Sequence, residues 1–138
     1  MSCAPRHTTL LSALLVAVTM GGSACAPATA TERAQTLVRR HQDEEAVVLL
    51  RQRLRGYPDD RPARRLLIAL LGLTGDVPAA RAEALELARR SAPDDPAAAL
   101  DLGHALELAH RYDEALDSYD EAARVAPASA EGPREGGM

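Results

Sequence analysis

The chain has 138 residues, and its 16 basic residues, all Arg, are outnumbered by 20 acidic residues, which gives a formal net charge of −4. Leu and Ala supply most of the 46% hydrophobic fraction, and Phe and Trp are absent. A chain of this length allows one modest domain. Strong helix formers dominate while β-branched and aromatic residues are scarce, which argues against an all-β fold. The chain is too apolar for a disordered protein, and its negative charge argues against nucleic-acid binding.

Residues 1–24 have the pattern of an export signal. Arg6 and His7 form a short basic segment, and an uncharged run from Leu10 to Met20 follows it. This run is too short for a permanent membrane-spanning helix, which needs about 20 apolar residues. The pattern predicts a segment that directs secretion and is then removed.

Small residues stand directly before Cys25, in the sequence Gly-Gly-Ser-Ala-Cys. This segment resembles the lipobox of bacterial lipoproteins, in which the cysteine takes a diacylglycerol and becomes the new N-terminus. Gly22 departs from the family, which usually has an aliphatic residue there. The resemblance implies lipid attachment at Cys25 and a membrane-anchored protein of the bacterial cell envelope. Ala26 and Pro27 follow without an Asp, a pattern similar to lipoproteins sorted to the outer membrane.

Two other fates of this segment stay open. An Ala-x-Ala site at 28–30 would discard Cys25 and release a soluble chain that starts at Thr31, and an uncut chain would stay tethered in the membrane. Cys3 lies ahead of the apolar run, so Cys25 would be the only cysteine left in an oxidising compartment. A cysteine without a disulfide partner is easier to explain as an acylation site. We therefore expect cleavage before Cys25.

The rest of the chain divides into a spacer at 25–31, a repeat domain at 32–127 and a tail at 128–138. The repeat domain is indicated by three prolines that lie 35 and 34 residues apart, Pro58, Pro93 and Pro127. A fixed period of this size is typical of stacked helical repeats. The tail contains three glycines and a proline and is predicted to be flexible.

The segment 96–127 resembles the tetratricopeptide repeat, a 34-residue helix–turn–helix unit. The positions that match its signature are Leu102, Gly103, Leu106, Tyr112, Ala115, Tyr119, Ala122 and Pro127. The resemblance implies that Gly103 and Ala122 are small because two helices cross closely there. Tyr112 and Tyr119 would fill the volume between neighbouring repeats, and the closing proline would end the second helix.

Two earlier segments, 27–58 and 62–93, match the same signature less completely. Arg81 stands where the second repeat should carry a small residue, and Ala99 replaces the bulky first position of the third. The resemblance implies an all-α fold, a short α-solenoid of about three helix–turn–helix repeats with six antiparallel helices. An unrelated six-helix bundle is the alternative.

Amphipathic spacing and capping residues place the six helices. They are predicted near 31–41, 43–55, 61–73, 77–91, 95–109 and 112–125. Asp95 is the predicted N-cap of the fifth helix with Pro96 at its first position. Gly75 is predicted to end the third helix, and Asp76 with Pro78 to start the fourth. His41 and His110 occupy equivalent turns, a position that tolerates His because His can adopt unusual backbone angles.

No catalytic constellation is visible in the sequence. His41 and His110 lie 69 residues apart, so we do not expect a shared metal site between them. Metal-binding spacings, glycine-rich phosphate loops and nucleophile motifs are absent from the printed sequence. Paired acids such as Asp94 and Asp95 adjoin prolines and are better explained as caps and solvated loops. We predict a protein that is not an enzyme and that holds no metal and no cofactor.

Charge is distributed unevenly along the chain. Residues 32–65 hold nine Arg and six acids, a net of +3, whereas residues 66–138 hold six Arg and fourteen acids, a net of −8. Six arginines fall within fifteen residues: Arg51, Arg53, Arg55, Arg61, Arg64 and Arg65. They are either a solvated arginine-rich surface or a basic patch that contacts anionic head groups or an acidic partner. A bipolar molecule could also associate head to tail.

In the resembled family, the first helices of successive repeats line a concave groove that holds a peptide or a partner helix. The residues of this chain that align with the groove positions of the family are Gln35, Val38, Arg39, Leu66, Leu70, Leu73, Leu100, His104, Glu107 and Leu108. The lining is aliphatic at its centre and lacks the Lys/Asn set of a carboxylate clamp, which implies an apolar peptide or amphipathic helix as ligand. Alternatively, Leu66, Leu70 and Leu73 are ordinary core residues.

The last helix lacks a polar capping helix after Val125, so Leu116 and Ala123 should be partly exposed. This predicts a surface for a partner or for a homo-oligomer. Taken together, the residues and the resemblance predict an exported lipoprotein of the bacterial envelope that acts as a protein-binding adaptor. The alternative is a soluble periplasmic or secreted protein, chaperone-like, with the same groove and no anchor.

Overall fold

A computed structural model describes residues 28–126, which form six α-helices. The helices are α1 (Ala30–Arg39), α2 (Asp43–Gly56), α3 (Arg61–Leu73), α4 (Val77–Arg89), α5 (Ala97–Leu108) and α6 (Tyr112–Val125). The predicted export signal, lipid-attachment residue Cys25, closing residue Pro127 and flexible tail lie outside the described residues. Within residues 28–126 there is no β-strand, and the predicted all-α fold is confirmed.

The six helices form three helix–turn–helix units stacked in chain order. Each first helix packs against the second helix of its own unit, and α2 and α4 pack against the first helix of the next unit. The first helices also contact one another along the stack, most closely where α3 meets α5. This arrangement is the predicted short α-solenoid of three repeats.

The turn inside each unit has the same backbone conformation. One residue in each turn, here called the turn residue, adopts a left-handed φ: His41 at 58°, Gly75 at 80° and His110 at 59°. Its N–H donates to the carbonyl three residues back, and the next N–H donates to the carbonyl five residues back, with N–O distances of 2.8–3.0 Å. This pair of bonds satisfies carbonyls that the helix end would leave unpaired. The unusual angles predicted for the two histidines are confirmed, and the turn residues preserve the repeat spacing.

Helix starts follow the sequence except at two places. Asp76 caps α4 as predicted, and its side chain accepts a hydrogen bond from Ala79 N. The first helix begins earlier than predicted, at Ala30, because Thr29 and Glu32 form a reciprocal capping box inside the expected spacer. The other departure is at α5, whose N-cap is Pro96 rather than the predicted Asp95. The Asp95 carboxylate still accepts a hydrogen bond from Ala97 N at 2.9 Å. It therefore pairs with a backbone N–H of the first turn, although Asp95 lies one residue before the N-cap.

The core is built from leucines, two valines, one isoleucine and small residues. Its largest fully buried side chains are Leu50, Leu67, Ile68, Leu71, Leu87 and Leu106. With so few aromatic residues, the helices must approach closely to exclude water, and two glycines allow this. A Cβ atom at Gly103 would lie 2.5 Å from Cε1 of Tyr119, and one at Gly72 would meet the backbone of Ala105.

The described signature positions of the third unit are buried or half-buried, except Tyr112. Gly103, Ala115 and Ala122 are buried, and the half-buried Tyr119 ring lies against Gly103 of its own unit. Tyr112, in contrast, is 59% exposed and contacts His110 instead of filling a space between repeats. Its counterpart in the second unit, Val77, is buried beside the third unit. Within the described residues no fourth unit covers Tyr112, which explains its exposure.

Candidate functional site: the first-helix face

The solvent-facing sides of α1, α3 and α5 form one continuous surface, here called the first-helix face. It includes the positions two residues before each turn residue, which are Arg39, Leu73 and Leu108. It also includes the positions six residues before, which are Gln35, Ala69 and His104. Stacking of equivalent units places these rows side by side, which is why residues 34 or 35 apart in sequence become neighbours.

Nine of the ten predicted groove residues have solvent-accessible side chains. Those that are exposed are Gln35, Arg39, Leu73, Leu100, His104 and Glu107, and those that are half-buried are Val38, Leu66 and Leu108. Leu73 is 46% exposed and Leu100 is 44% exposed, so each offers about half of its surface to solvent. A contiguous apolar patch rimmed by polar residues is typical of a surface that contacts another molecule.

Leu70 was assigned to the groove wrongly. It is only 3% exposed and belongs to the main core cluster. Its counterpart in the third unit, Ala105, is also buried. This position faces the preceding unit, so stacking covers it. For Leu70 the alternative of an ordinary core residue is therefore correct, whereas Leu73 remains on the surface.

Two features of this face were missed by sequence reasoning. Ala69 occupies the row between Gln35 and His104 and is half-buried. Arg65 and Asp101 form a two-bonded ion pair between α3 and α5, with Nε–Oδ2 at 2.6 Å and Nη2–Oδ1 at 2.9 Å. The hydrogen bonds that the Arg65 guanidinium donates to Asp101 raise the pKa of Arg65 above its ordinary value. Their spacing of 36 residues, close to the repeat period, was the signal that could have revealed this pair.

The two ends of the first-helix face are polar. Arg39 donates from Nη2 to Thr36 Oγ1 at 2.9 Å on the first unit. On the third unit, His104 Nδ1 lies 3.7 Å from Glu107 Oε2, and both side chains are about half exposed. Among residues 28–126, no group of three His, Cys, Asp or Glu side chains is arranged to hold a metal ion. The face thus carries both exposed leucines and charged groups, and the Arg65–Asp101 pair lies among them between α3 and α5.

Most of the clustered arginines are paired within the chain. The pairs are Arg51–Asp76, Arg53–Asp60, Arg61–Asp95, Arg64–Glu83 and Arg65–Asp101. Arg64 is buried and also donates to the Pro58 carbonyl at 3.0 Å, so it is part of the fold. Two of the pairs, those to Asp95 and Asp101, connect the second unit with the third. This pairing favours the interpretation of an internally matched, arginine-rich surface over a free basic patch.

No protein-family model matches the chain, and no curated protein matches it either. None of the helices in residues 28–126 has the length and apolar character needed to cross a membrane.

Proposed function

We propose that this protein is a non-enzymatic adaptor with tetratricopeptide-like repeats, which binds an apolar peptide or an amphipathic helix on its first-helix face. The observation that carries this proposal is the exposure of Leu73 and Leu100 on adjacent first helices of a rigid solenoid. Leu66, Leu108 and Val38 add half-buried apolar side chains on the same face. An amphipathic helix fits this pattern because its apolar anchors recur every three to four residues.

The expected contribution of the leucines follows from their exposed area. Fully burying a leucine is worth about 1.5–3 kcal/mol. Leu73 and Leu100 are each about half exposed, so covering the remainder contributes about 1 kcal/mol per residue. Replacing both with Glu should therefore weaken partner binding by about 30-fold, before any charge effect is added.

The test uses the whole gene product, exported by a bacterial host. A photo-crosslinking amino acid at position 73 or 100 should form an adduct with the partner in the envelope. The same amino acid at position 85 is the control, because Leu85 is 54% exposed but lies on α4, outside the first-helix face. With the crosslinker at position 73, Leu100→Glu should lower the adduct yield, whereas Leu85→Glu should leave it unchanged. Equal adducts from all three positions would rule out specific binding on this face.

The second part of the proposal is that the adaptor is a lipoprotein anchored through Cys25 in the bacterial envelope. The capping box of α1 supports this choice of cleavage site. Cleavage before Cys25 keeps Thr29 and Glu32 together, whereas cleavage after Ala30 removes the cap and the first helical residue. Loss of an N-cap side chain costs about 1 kcal/mol. A processing site that preserves the folded domain is the better choice.

The mass of the mature N-terminus distinguishes the anchored protein from its soluble alternative. A diacylated chain that starts at Cys25 should partition into the detergent phase, and Cys25→Ser should abolish the lipid mass. An unmodified chain that starts at Thr31 would reject the anchor and favour the soluble, chaperone-like protein. The first-helix face is the same in both cases, so the crosslinking test stands independently of this result.

A further inference from the structure

One position of the second helix faces the next unit throughout the stack. It lies six residues after the turn residue and is occupied by Val47, Arg81 and Leu116. Val47 is buried in the core. Arg81 extends from α4 to the third unit and pairs with Glu114. Leu116 is 63% exposed, and no further unit covers it within the described residues.

The surface that receives this position is a groove, and it recurs at equivalent residues. In the third unit, Arg81 borders a groove of about 330 Å³ whose other lining residues are Ala99, Leu102, Glu114, Asp117, Ser118 and Glu121. The first unit has a groove of about 610 Å³, here called the N-terminal groove, whose lining includes Arg33, Leu37, Glu45, Val48, Leu49 and Gln52. Five lining positions correspond between the two grooves when the turn residues are aligned. The N-terminal groove has the larger volume of the two, and its described lining contains no counterpart of Arg81.

The two ends of the stack are complementary in charge and polarity. Residues 30–56 hold six Arg and four acids, a net of +2, whereas residues 97–125 hold seven acids and two Arg, a net of −5. Opposite net charges favour approach of one end to the other over like-end pairing. The N-terminal groove offers Leu37, Val48 and Leu49 as apolar contacts. Leu116 is therefore matched to this groove by both its position and its chemistry.

We propose that a second copy of this chain occupies the N-terminal groove, with its Leu116 inserted and its α6 packed against α1 and α2. The contact repeats the stacking found between the second and third units. In that stacking α4 packs on the third unit, and α6 of one copy would pack in the same way on the first unit of the next copy. Such a contact joins unlike surfaces and leaves both outer ends free. It therefore generates open chains of copies or closed rings rather than a symmetric dimer. The proposal does not depend on the first-helix face.

Disulfide trapping in the intact envelope tests the direction of the contact. Expressed with its own leader, the double variant Val48→Cys/Leu116→Cys should form a ladder of dimers, trimers and larger species on mild oxidation. Each single variant should give no ladder, because only unlike positions meet. Val48→Cys/Leu85→Cys is the matched control, since Leu85 is similarly exposed but does not face the next unit. A dimer formed by Leu116→Cys alone would overturn the proposal in favour of a symmetric interface.

A second measurement does not need introduced cysteines. Sedimentation of the exported chain, extracted in mild detergent, should show a mass that rises with protein concentration. Leu116→Ser should shift that rise to concentrations about tenfold higher, because it removes the apolar contact without disturbing the core. Leu85→Ser should leave the rise unchanged, and added salt should weaken it through screening. A monomer at all concentrations would overturn the proposal.

Discussion

Replacing Gly72 with Ala places a methyl group against the backbone of α5. The new Cβ atom would lie 2.6 Å from the Cα atom of Ala105 and closer still to its carbonyl oxygen. Because the obstacle is backbone, no side-chain rotation can relieve it, and α3 must move away from α5. That movement loosens the packing around Leu71 and Leu106, two of the largest fully buried side chains.

The magnitude follows from two opposing effects. Alanine is a better helix former than glycine by about 1 kcal/mol, which favours the variant. Overpacking a tight core costs about 1–3 kcal/mol, and a backbone obstacle belongs at the upper end. We expect Gly72→Ala to lower the free energy of unfolding by about 2 kcal/mol. For a domain of this size, that corresponds to a fall in melting temperature of about 8–16 °C.

Urea unfolding followed by circular dichroism measures this difference, with two glycines as controls. Gly56→Ala meets nothing within 4 Å and should be neutral or stabilising by up to about 1 kcal/mol. Gly103→Ala meets the Tyr119 ring, a side chain that can shift, so its loss should be smaller than that of Gly72→Ala. If Gly72→Ala is as stable as the parent while Gly56→Ala behaves as expected, the close approach of α3 and α5 is wrong.

Three further predictions concern the turns and the titratable groups. His41→Gly should raise the free energy of unfolding by up to about 1 kcal/mol, because glycine adopts a φ of 58° without strain, and Gly75→Ala should lower it, both measured by thermal melts. Burial and the neighbouring Glu107 raise the pKa of Tyr119 to about 12. The unfolded chain therefore loses this proton first, and stability should fall by up to about 2 kcal/mol from pH 10 to 12, a slope that Tyr119→Phe removes in urea titrations. The hydrogen bond from Arg53 lowers the pKa of Asp60, so its stabilisation is present above about pH 4 and is lost as the pH falls through the folded pKa. Asp60→Asn should flatten that acid-side decline, and a variant that declines as steeply as the parent would contradict the assignment.

Local signals were sufficient for the elements and their order. Gly75, Asp76 and Pro78 mark a helix end and the next helix start within four residues, and the structure agrees. Turns with unusual backbone angles were also expected at the two histidines, His41 and His110, because the repeat spacing makes their positions equivalent. These features depend on residues close together in the chain, which is why they could be predicted. The capping box at Thr29 was equally local and could have been found from Glu32 three residues later.

Tertiary structure decided which side of each helix is covered. Leu70 and Leu73 are both leucines on α3, yet stacking buries the first and leaves the second on the first-helix face. Tyr112 and Val77 hold the same repeat position, but only Val77 has a following unit over it in residues 28–126. A repeat pattern in sequence assigns the same role to every copy. Burial depends on the neighbours that each copy has in space, so the ends of the stack differ from its middle.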